Sequence, residues 1–218
     1  MKIPLLPALA GAVLAGAAAA APATLLELAG AKPAPGRFAD SVVLVIDAQR
    51  EYVDGRLPLA GVAAAFRETQ RLLQRARAAG TPVIHIQQVS APGRGLFDPT
   101  GPFTAFAPEA APAPGETVIV KTLPNAFAGT ALDAALRRTG RKQLIIAGCM
   151  THMCVSATVR AALDHGHPAT VVAAACATRD LPDGHGGVIA AATVHRVALA
   201  ELADRFATVV ENVAVLAD

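Results

Sequence analysis

The stretch SVVLVID, residues 41–47, is the part of the sequence that decides the fold. It is a short run of mainly β-branched apolar residues with no polar alternation, which is typical of a strand buried on both faces. Similar runs predict further strands at residues 81–89, 116–121, 143–148, 169–175 and 206–210. Between the strands, apolar residues at helical spacing and stop signals such as Gly80 and Gly140 predict helices at residues 62–79, 130–138, 154–165 and 188–203.

The alternation of these elements indicates the fold class. Strands that alternate with helices form a parallel sheet with helices on both faces. The sequence therefore predicts a three-layer α/β/α fold with a six-stranded, mostly parallel, Rossmann-like sheet. The 218 residues suit one such domain, because 53% of them are hydrophobic and only 17% are charged. We expect the domain to cover residues 23–218.

The overall charge and the cysteine content exclude several classes of protein. The formal net charge is +2, and the chain has one Tyr and no Trp, so nothing favours a nucleic-acid or acidic-membrane partner. The three cysteines, Cys149, Cys154 and Cys176, are an odd and clustered set without a Cys-x-x-Cys pair. Such a set does not predict a disulfide framework, and at least one thiol is expected to be free.

Residues 1–22, MKIPLLPALAGAVLAGAAAAAP, have the pattern of a secretory signal peptide. One basic residue precedes an apolar run that ends in small residues with several Ala-x-Ala cleavage points. The alternative is an Ala-rich disordered extension. With a signal peptide the protein would be periplasmic or secreted, with no membrane association after cleavage, and without one it would be cytoplasmic.

Some other features are ambiguous. The Gly/Pro-rich stretch at residues 90–115 is too long for a simple turn, and loops of this length are often lids or subunit contacts. The glycines of DGHGG, residues 183–187, could cradle a phosphate, although a plain loop is the simpler interpretation. His85, inside an apolar strand, is interpreted as a core histidine. The remaining histidines show no metal-ligand spacing, so we predict no metal and no cofactor.

Three residues capable of catalysis stand at the ends of predicted strands. Asp47 ends the first strand, Lys121 ends the third, and Cys154 begins the helix after the fourth. Active sites in such sheets lie beyond the carboxyl ends of the strands. Because the three residues are far apart in the sequence, only the fold could bring them together there.

The chemistry of Cys154 depends on its neighbours. A helix N-terminus and a nearby ammonium would lower the pKa of its thiol, and an adjacent carboxylate could take the thiol proton. His152, two positions earlier, points away from it on a helix, so direct pairing is doubtful. The alternative is that Cys154 is a small buried apolar residue, Asp47 a turn residue and Lys121 a side chain that reaches out to water. Their occurrence at one edge of the sheet favours catalysis.

Three segments together resemble a known family, the isochorismatase-like cysteine hydrolases. They are VLVIDAQREY (residues 43–52), VIVKTLPNAFAGT (118–130) and AGCMTHMCVSATVRAALDHG (147–166), and the most specific element is Gly-x-x-Thr-x-x-Cys-Val at residues 148–155. The superfamily includes nicotinamidases, N-carbamoylsarcosine amidohydrolases and ureidoacrylate-type amidohydrolases. The resemblance extends from about Thr24 to the C-terminus and implies the isochorismatase-like version of the predicted fold.

The resemblance also implies roles for individual residues. Cys154 would be the nucleophile, Asp47 the general base and acid, and Lys121 the cation of an Asp-Lys-Cys catalytic triad. A cis peptide would join Cys149 to Met150, and the N–H groups of Met150 and Cys154 would form an oxyanion hole. The residues expected to bind substrate, each of which could equally be a packing or capping residue, are Gln49, Tyr52, Asn125, Phe127 and Thr151.

The reaction implied is hydrolysis of an amide or ureido C–N bond of a small molecule through a thioester. Residues 85–93, HIQQVSAPG, lack the Asp-x-His metal element of nicotinamidases, which argues against that branch and against zinc. Two alternatives stay open: an isochorismatase-type vinyl ether hydrolase, and a non-catalytic small-molecule-binding protein on the same scaffold. Because the family commonly forms dimers or larger assemblies, we expect a homo-oligomer.

Overall fold

The computed structural model describes residues 21–218, in which a six-stranded parallel sheet forms the middle layer. Nearly all of the predicted signal peptide lies outside these residues. The strand order is β3-β2-β1-β4-β5-β8, and every neighbouring pair is parallel. The strands of this sheet are β1 (Ser41–Ile46), β2 (Val83–Gln88), β3 (Thr117–Lys121), β4 (Gln143–Cys149), β5 (Ala169–Ala177) and β8 (Ala207–Val210). A separate antiparallel hairpin consists of β6 (Leu181–Pro182) and β7 (Val188–Ile189).

Helices cover both faces of the sheet. The α-helices are α1 (Leu25–Leu28), α2 (Val62–Ala78), α3 (Leu132–Thr139), α4 (Ser156–Asp164) and α5 (Ala191–Arg205). One turn of π-helix spans Thr151–Val155, and 3-10 turns occur at Phe38–Asp40, Arg50–Tyr52, Pro102–Thr104, Pro108–Ala110 and Val213–Val215. No helix of residues 21–218 is long and apolar enough to cross a membrane.

Strand β1 lies in the middle of the sheet because both of its faces are apolar. Val43 and Val45 pack into the core beneath α2, whereas Leu44 and Ile46 pack into the core beneath α3, α4 and α5. Burying a side chain of this size stabilises the fold by about 1.5–3 kcal/mol. The predicted three-layer fold is confirmed.

The chain changes direction across the sheet between β1 and β4. From β1 it builds outward through β2 to β3, and it then returns to add β4 on the other side of β1. In doubly wound sheets this switch in strand order opens a crevice at the carboxyl ends of the two strands. Asp47 follows β1 and Met150 follows β4 at this crevice.

Gly148 allows the two strands to approach closely there. Its φ is 130°, and a Cβ at this position would collide with the carbonyl oxygen of Ile46 on the neighbouring strand. The register between β4 and β5 also shifts between Ile146 and Gly148. Only glycine fits this backbone conformation and this spacing.

The helix predicted from residue 188 begins later than expected. Val188 and Ile189 instead pair with β6, and the helix starts at Ala191. The loop of residues 183–187 closes this hairpin, because the Asp183 carboxylate accepts hydrogen bonds from the N–H groups of His185 and Gly187. Since that carboxylate is used within the loop, a plain turn explains the glycines, and no phosphate cradle is needed.

Candidate active site

Three side chains from distant parts of the chain meet at the crevice. The Lys121 ammonium lies 2.8 Å from Asp47 Oδ2 and 3.4 Å from Cys154 Sγ. All three side chains are buried, and Cys154 retains 6% of its surface exposed. The sheet thus brings together the carboxylate, the ammonium and the thiol that the sequence singled out.

Asp47 leaves the end of β1 in an unusual backbone conformation. Its φ is 51°, in the left-handed region, while its N–H still donates to the carbonyl of Ile86. Burial raises the pKa of its carboxyl, and the Lys121 charge opposes that rise. The contact with Lys121 is an ion pair by distance, and neither carboxylate oxygen accepts a well-directed hydrogen bond within the described part of the chain. The carboxylate is therefore free to accept a proton.

Lys121 reaches the site from strand β3, two strands away from β1. Gln88 lies beside it in the parallel register and accepts a hydrogen bond from its ammonium. Sequence reasoning did not identify Gln88, because the pairing of these two strand ends is visible only once the register is known. Gln88 holds Lys121 in a position from which it contacts both Asp47 and Cys154.

The turn that carries Cys154 starts earlier than predicted. Helical structure begins at Thr151 as a π-turn, so Cys154 lies inside this turn and is not the first helical residue. The carbonyl of Met150 accepts hydrogen bonds from Met153 and Val155 but not from Cys154 between them. The Cys149–Met150 peptide bond is cis, as the resemblance implied.

The expectation that the thiol pKa is lowered is wrong. Burial, followed by the negative charge of Asp47, raises the pKa of Cys154 to about 12, and Lys121 only partly offsets this. The charge of Lys121 lowers the thiol pKa, but by less than the loss of hydration raises it. The thiol is therefore protonated at neutral pH, and it could act as a nucleophile only if a base took its proton.

Two of the expected substrate-binding residues are used inside the protein. The Gln49 amide donates to the carbonyls of Gln88 and Thr104 and accepts from the Gln88 N–H, which ties the 102–104 turn to β2. Asn125 accepts from the N–H of Phe127 in a local turn. These amides support the walls of the site, and their predicted contact with substrate stays a prediction.

Phe127 packs at the end of α4. Its ring stacks on His165 at a centroid distance of 4.5 Å and on His167 at 6.3 Å. The side chain is buried and belongs to the same apolar cluster as Cys154. Its predicted contact with substrate stays a prediction.

Tyr52 lies near Asp47 and Cys154, and Thr151 lies in the same turn as Cys154. Burial and the charges of Asp47 and Cys154 raise the pKa of the Tyr52 hydroxyl, whose ring packs edge-on against Phe97. Thr151 Oγ1 lies 2.9 Å from His195 Nδ1. As expected, His152 does not pair with Cys154, since its Nδ1 contacts Thr178 Oγ1 instead.

Metal-ligating side chains are dispersed. Within residues 21–218 no three side chains of His, Cys, Asp or Glu come together as a possible metal-binding group. The site described above relies on one ammonium for its positive charge. That the protein works without a metal or cofactor stays a prediction.

Comparison with known proteins shows which family the chain belongs to. The family model described as an isochorismatase domain matches residues 41–212, which include Asp47, Lys121 and Cys154. The chain belongs to the isochorismatase family. This isochorismatase-family chain is 36% identical over 186 residues to a secreted isochorismatase effector of Verticillium dahliae, covering 85% of this chain and 95% of the relative.

Solved structures agree with the family assignment. An isochorismatase from Pseudomonas putida superposes with a TM-score of 0.83 at 42% identity, covering 87% of this chain and 96% of that one. A hydrolase of the isochorismatase family from Chromobacterium violaceum superposes with a TM-score of 0.75 at 39% identity, covering 82% and 94%. The predicted family and its α/β fold are confirmed, and the protein is an isochorismatase-family hydrolase.

Proposed function

We propose that this isochorismatase-family hydrolase cleaves an amide or ureido C–N bond of a small molecule through a cysteine thioester. The observation that carries the proposal is the contact of one buried ammonium, Lys121, with both the Asp47 carboxylate and the Cys154 sulfur. A buried acid, base and nucleophile in contact are the parts that acyl transfer requires.

The first half of the reaction forms the thioester. Asp47 takes the thiol proton while Sγ bonds to the substrate carbonyl carbon, and the carbonyl oxygen becomes an oxyanion. The N–H of Met150, which has no acceptor among the described residues, and that of Cys154 are the donors for this oxyanion. The C–N bond then breaks as protonated Asp47 gives its proton to the leaving nitrogen.

The second half releases the acid product. Asp47, again ionised, takes a proton from a water molecule as its oxygen attacks the thioester carbon. The C–S bond breaks and the sulfur recovers the proton from Asp47. Lys121 keeps Asp47 close to the sulfur and offsets the negative charge that alternates between them.

Named relatives support C–N chemistry. A streptothricin hydrolase of Streptomyces noursei is 38% identical over 140 residues, covering 66% of this chain and 50% of that protein. A maleamate amidohydrolase of Pseudomonas putida is 32% identical over 146 residues, covering 60% and 68%. Because specificity depends on loops around the site, these relatives suggest a reaction type and leave the substrate to experiment.

The test is ammonia or amine release from primary amides, ureido acids and carbamoyl amines, with maleamate and ureidoacrylate in the panel. We expect turnover by the wild type and none by Cys154→Ala. Mass spectrometry of a quenched reaction should show an acyl adduct on Cys154. Turnover that persists in Cys154→Ala would contradict the thioester route.

A second candidate is hydrolysis of the vinyl ether of isochorismate, which the relative described as an isochorismatase effector favours. It predicts pyruvate release that survives Cys154→Ala, since this reaction needs no acyl-enzyme. If neither substrate class turns over and iodoacetamide labels the three cysteines equally slowly, a small-molecule-binding protein is the better interpretation.

Export and self-association complete the proposal. The secreted relative supports a signal peptide at residues 1–22, and N-terminal sequencing of protein recovered from the periplasm of a bacterial host tests it. An intact Met1 on cytoplasmic protein would contradict it. The exposed Val118 and Val120 on edge strand β3 support a homo-oligomer, which light scattering tests.

A further inference from the structure

The nucleophile's turn is the π-turn of Thr151–Val155, which carries Cys154. Two hydrogen bonds from outside it hold two of its consecutive residues. Thr151 Oγ1 pairs with His195 Nδ1 on α5, and His152 Nδ1 pairs with Thr178 Oγ1 just after β5. Both threonines are buried. Neither histidine contacts a reacting group, and the mechanism above uses neither.

Both outer partners belong to one segment, residues 178–195, which is itself anchored to the fold. The backbone of Thr178 forms an antiparallel bridge with Ala60. Asp180 accepts a hydrogen bond from the N–H of Ala191 at 2.7 Å, which fixes the start of α5. His195 follows one turn later on that helix, so its ring has a defined position.

The outer partners lie at the surface end of this contact. Thr178 and His195 line a groove of about 440 Å³ whose other walls are mostly alanine side chains. Alanine side chains offer the turn no polar contact, so the two hydrogen bonds give the packing of α5 against the turn its direction.

The position of this turn matters for the proposed chemistry. The turn carries the Cys154 sulfur and the Cys154 N–H assigned to the oxyanion, and Lys121 contacts that sulfur at 3.4 Å. A displacement of about 1 Å at a reacting group can reduce a rate by about 100-fold. Two links at consecutive residues restrict both translation and rotation of the turn.

We propose that His195 and Thr178 are positioning residues that clamp the nucleophile's turn through Thr151 and His152. The clamp rests on the proposed role of Cys154 as nucleophile. It acts through the turn and without contact to the substrate.

The test compares His195→Ala, His195→Asn and Thr151→Val in the full chain. Asn places a polar atom near the position of Nδ1, so it should retain much of the clamp, whereas Ala removes it. We expect His195→Ala to lower kcat about 30-fold on the best amide of the panel with KM within about 2-fold. His195→Asn should recover most of that loss. The double variant Thr151→Val/His195→Ala should lose no more than the larger single loss, because both remove one hydrogen bond.

A second measurement works without a substrate. Amide hydrogen exchange of Met153 and Val155, followed by NMR, reports directly on the turn, because both amides donate to the Met150 carbonyl. We expect exchange about 10-fold faster in His195→Ala, with Ile145 in β4 unchanged. His185→Ala is the matched control: His185 lies on the same segment, in the exposed hairpin loop, and its replacement should change neither measurement.

The outcomes are distinct. Unchanged exchange at Met153 and Val155, or additive losses in the double variant, would overturn the clamp. Equal acceleration at Ile145 would also overturn it, because His195 would then only stabilise the fold. A wild type that hydrolyses no amide would refute the proposed function, while the exchange data would still decide whether the clamp exists.

Discussion

One carboxylate lies near each end of strand β3, Glu116 at its start and Asp47 beside Lys121 at its end. The pKa values of these two carboxyl groups are shifted in opposite directions. At the start, Glu116 accepts two hydrogen bonds from Arg77, one from the N–H of Ala113, and contacts His85 Nε2. At the end, Lys121 is the one charged side chain among residues 21–218 that pairs with Asp47. The difference shows what distinguishes a structural carboxylate from one prepared to exchange a proton.

The two pKa values differ in whether burial or the polar contacts dominate. Burial would raise the pKa of Glu116, but its hydrogen bonds and the Arg77 charge hold it at about 2. Burial of Asp47 is complete and outweighs its contacts with Lys121, Cys154 and Gln88, so its pKa is raised. A carboxylate with every lone pair occupied resists protonation, whereas an incompletely satisfied one accepts a proton readily. This contrast supports Asp47 as the base.

Neutralising each carboxylate in turn is the strongest test of this comparison. Asp47→Asn should lower kcat roughly 10³-fold, because the thiol, with a pKa of about 12, loses its proton acceptor. Glu116→Gln should leave kcat within roughly 3-fold, since it lies at the other end of the strand. Steady-state ammonia release measures both. Similar losses in the two variants would remove the distinction.

Removing the ammonium at the catalytic end should have the next largest effect. Lys121→Met should lower kcat roughly 100-fold and raise the pKa of Asp47 further, because the Lys121 charge opposes that rise. The acid limb of kcat/KM against pH should move to higher pH, since catalysis needs Asp47 ionised. Lys142→Met, at an exposed lysine, is the control. An unmoved acid limb would show that Asp47 is not the group that titrates.

The structural cluster should dominate stability. Glu116→Gln should lower the free energy of unfolding at pH 7 by roughly 2 kcal/mol, because it removes the charge that Arg77 and the other donors satisfy. Chemical denaturation with urea measures this loss. The matched control is Glu109→Gln at an exposed position nearby, which should change it by less than roughly 0.5 kcal/mol. Equal effects of the two substitutions would contradict a structural role for Glu116.

The pH dependence of stability should be the smallest effect, and the two carboxylates contribute with opposite signs. The lowered pKa of Glu116 gives stability that is complete above its ordinary value of 4.5 and is lost as pH falls through about 2. The raised pKa of Asp47 gives stability that is complete below 3.8 and is lost as pH rises through its folded value.

Denaturation of the wild type and Glu116→Gln at several pH values separates these contributions. The difference in their free energy of unfolding should shrink as pH falls from 5 to roughly 2. A difference that stays constant over this range would mean that the Glu116 pKa is not lowered.

The arrangement of the fold was predictable from local patterns. Continuous apolar runs such as residues 41–46 can be buried on both faces only in a covered parallel sheet, and the structure places this run at the centre. The helix start predicted at residue 188 was wrong because its apolar pair, Val188 and Ile189, fits a hairpin strand equally well. Two apolar residues are too few to show a period.

The candidate site was predictable in its chemistry and only partly in its geometry. Asp47, Lys121 and Cys154 stood out because reactive side chains followed apolar strands. The stacking of Phe127 on His165 was not predictable, because the two residues are far apart in the sequence. Gln88 was missed because its contact with Lys121 depends on strand register.

The sequence by itself determined that a thiol, a carboxylate and an ammonium stand at the ends of buried strands in one α/β domain. The tertiary structure alone decided how the thiol and the carboxylate ionise. Burial of Cys154 and Asp47 sums contributions from segments far apart in the chain, and the resulting loss of hydration outweighs the opposing charge of Lys121. Periodicity reports only on near neighbours in sequence, whereas desolvation depends on everything that packs around a group.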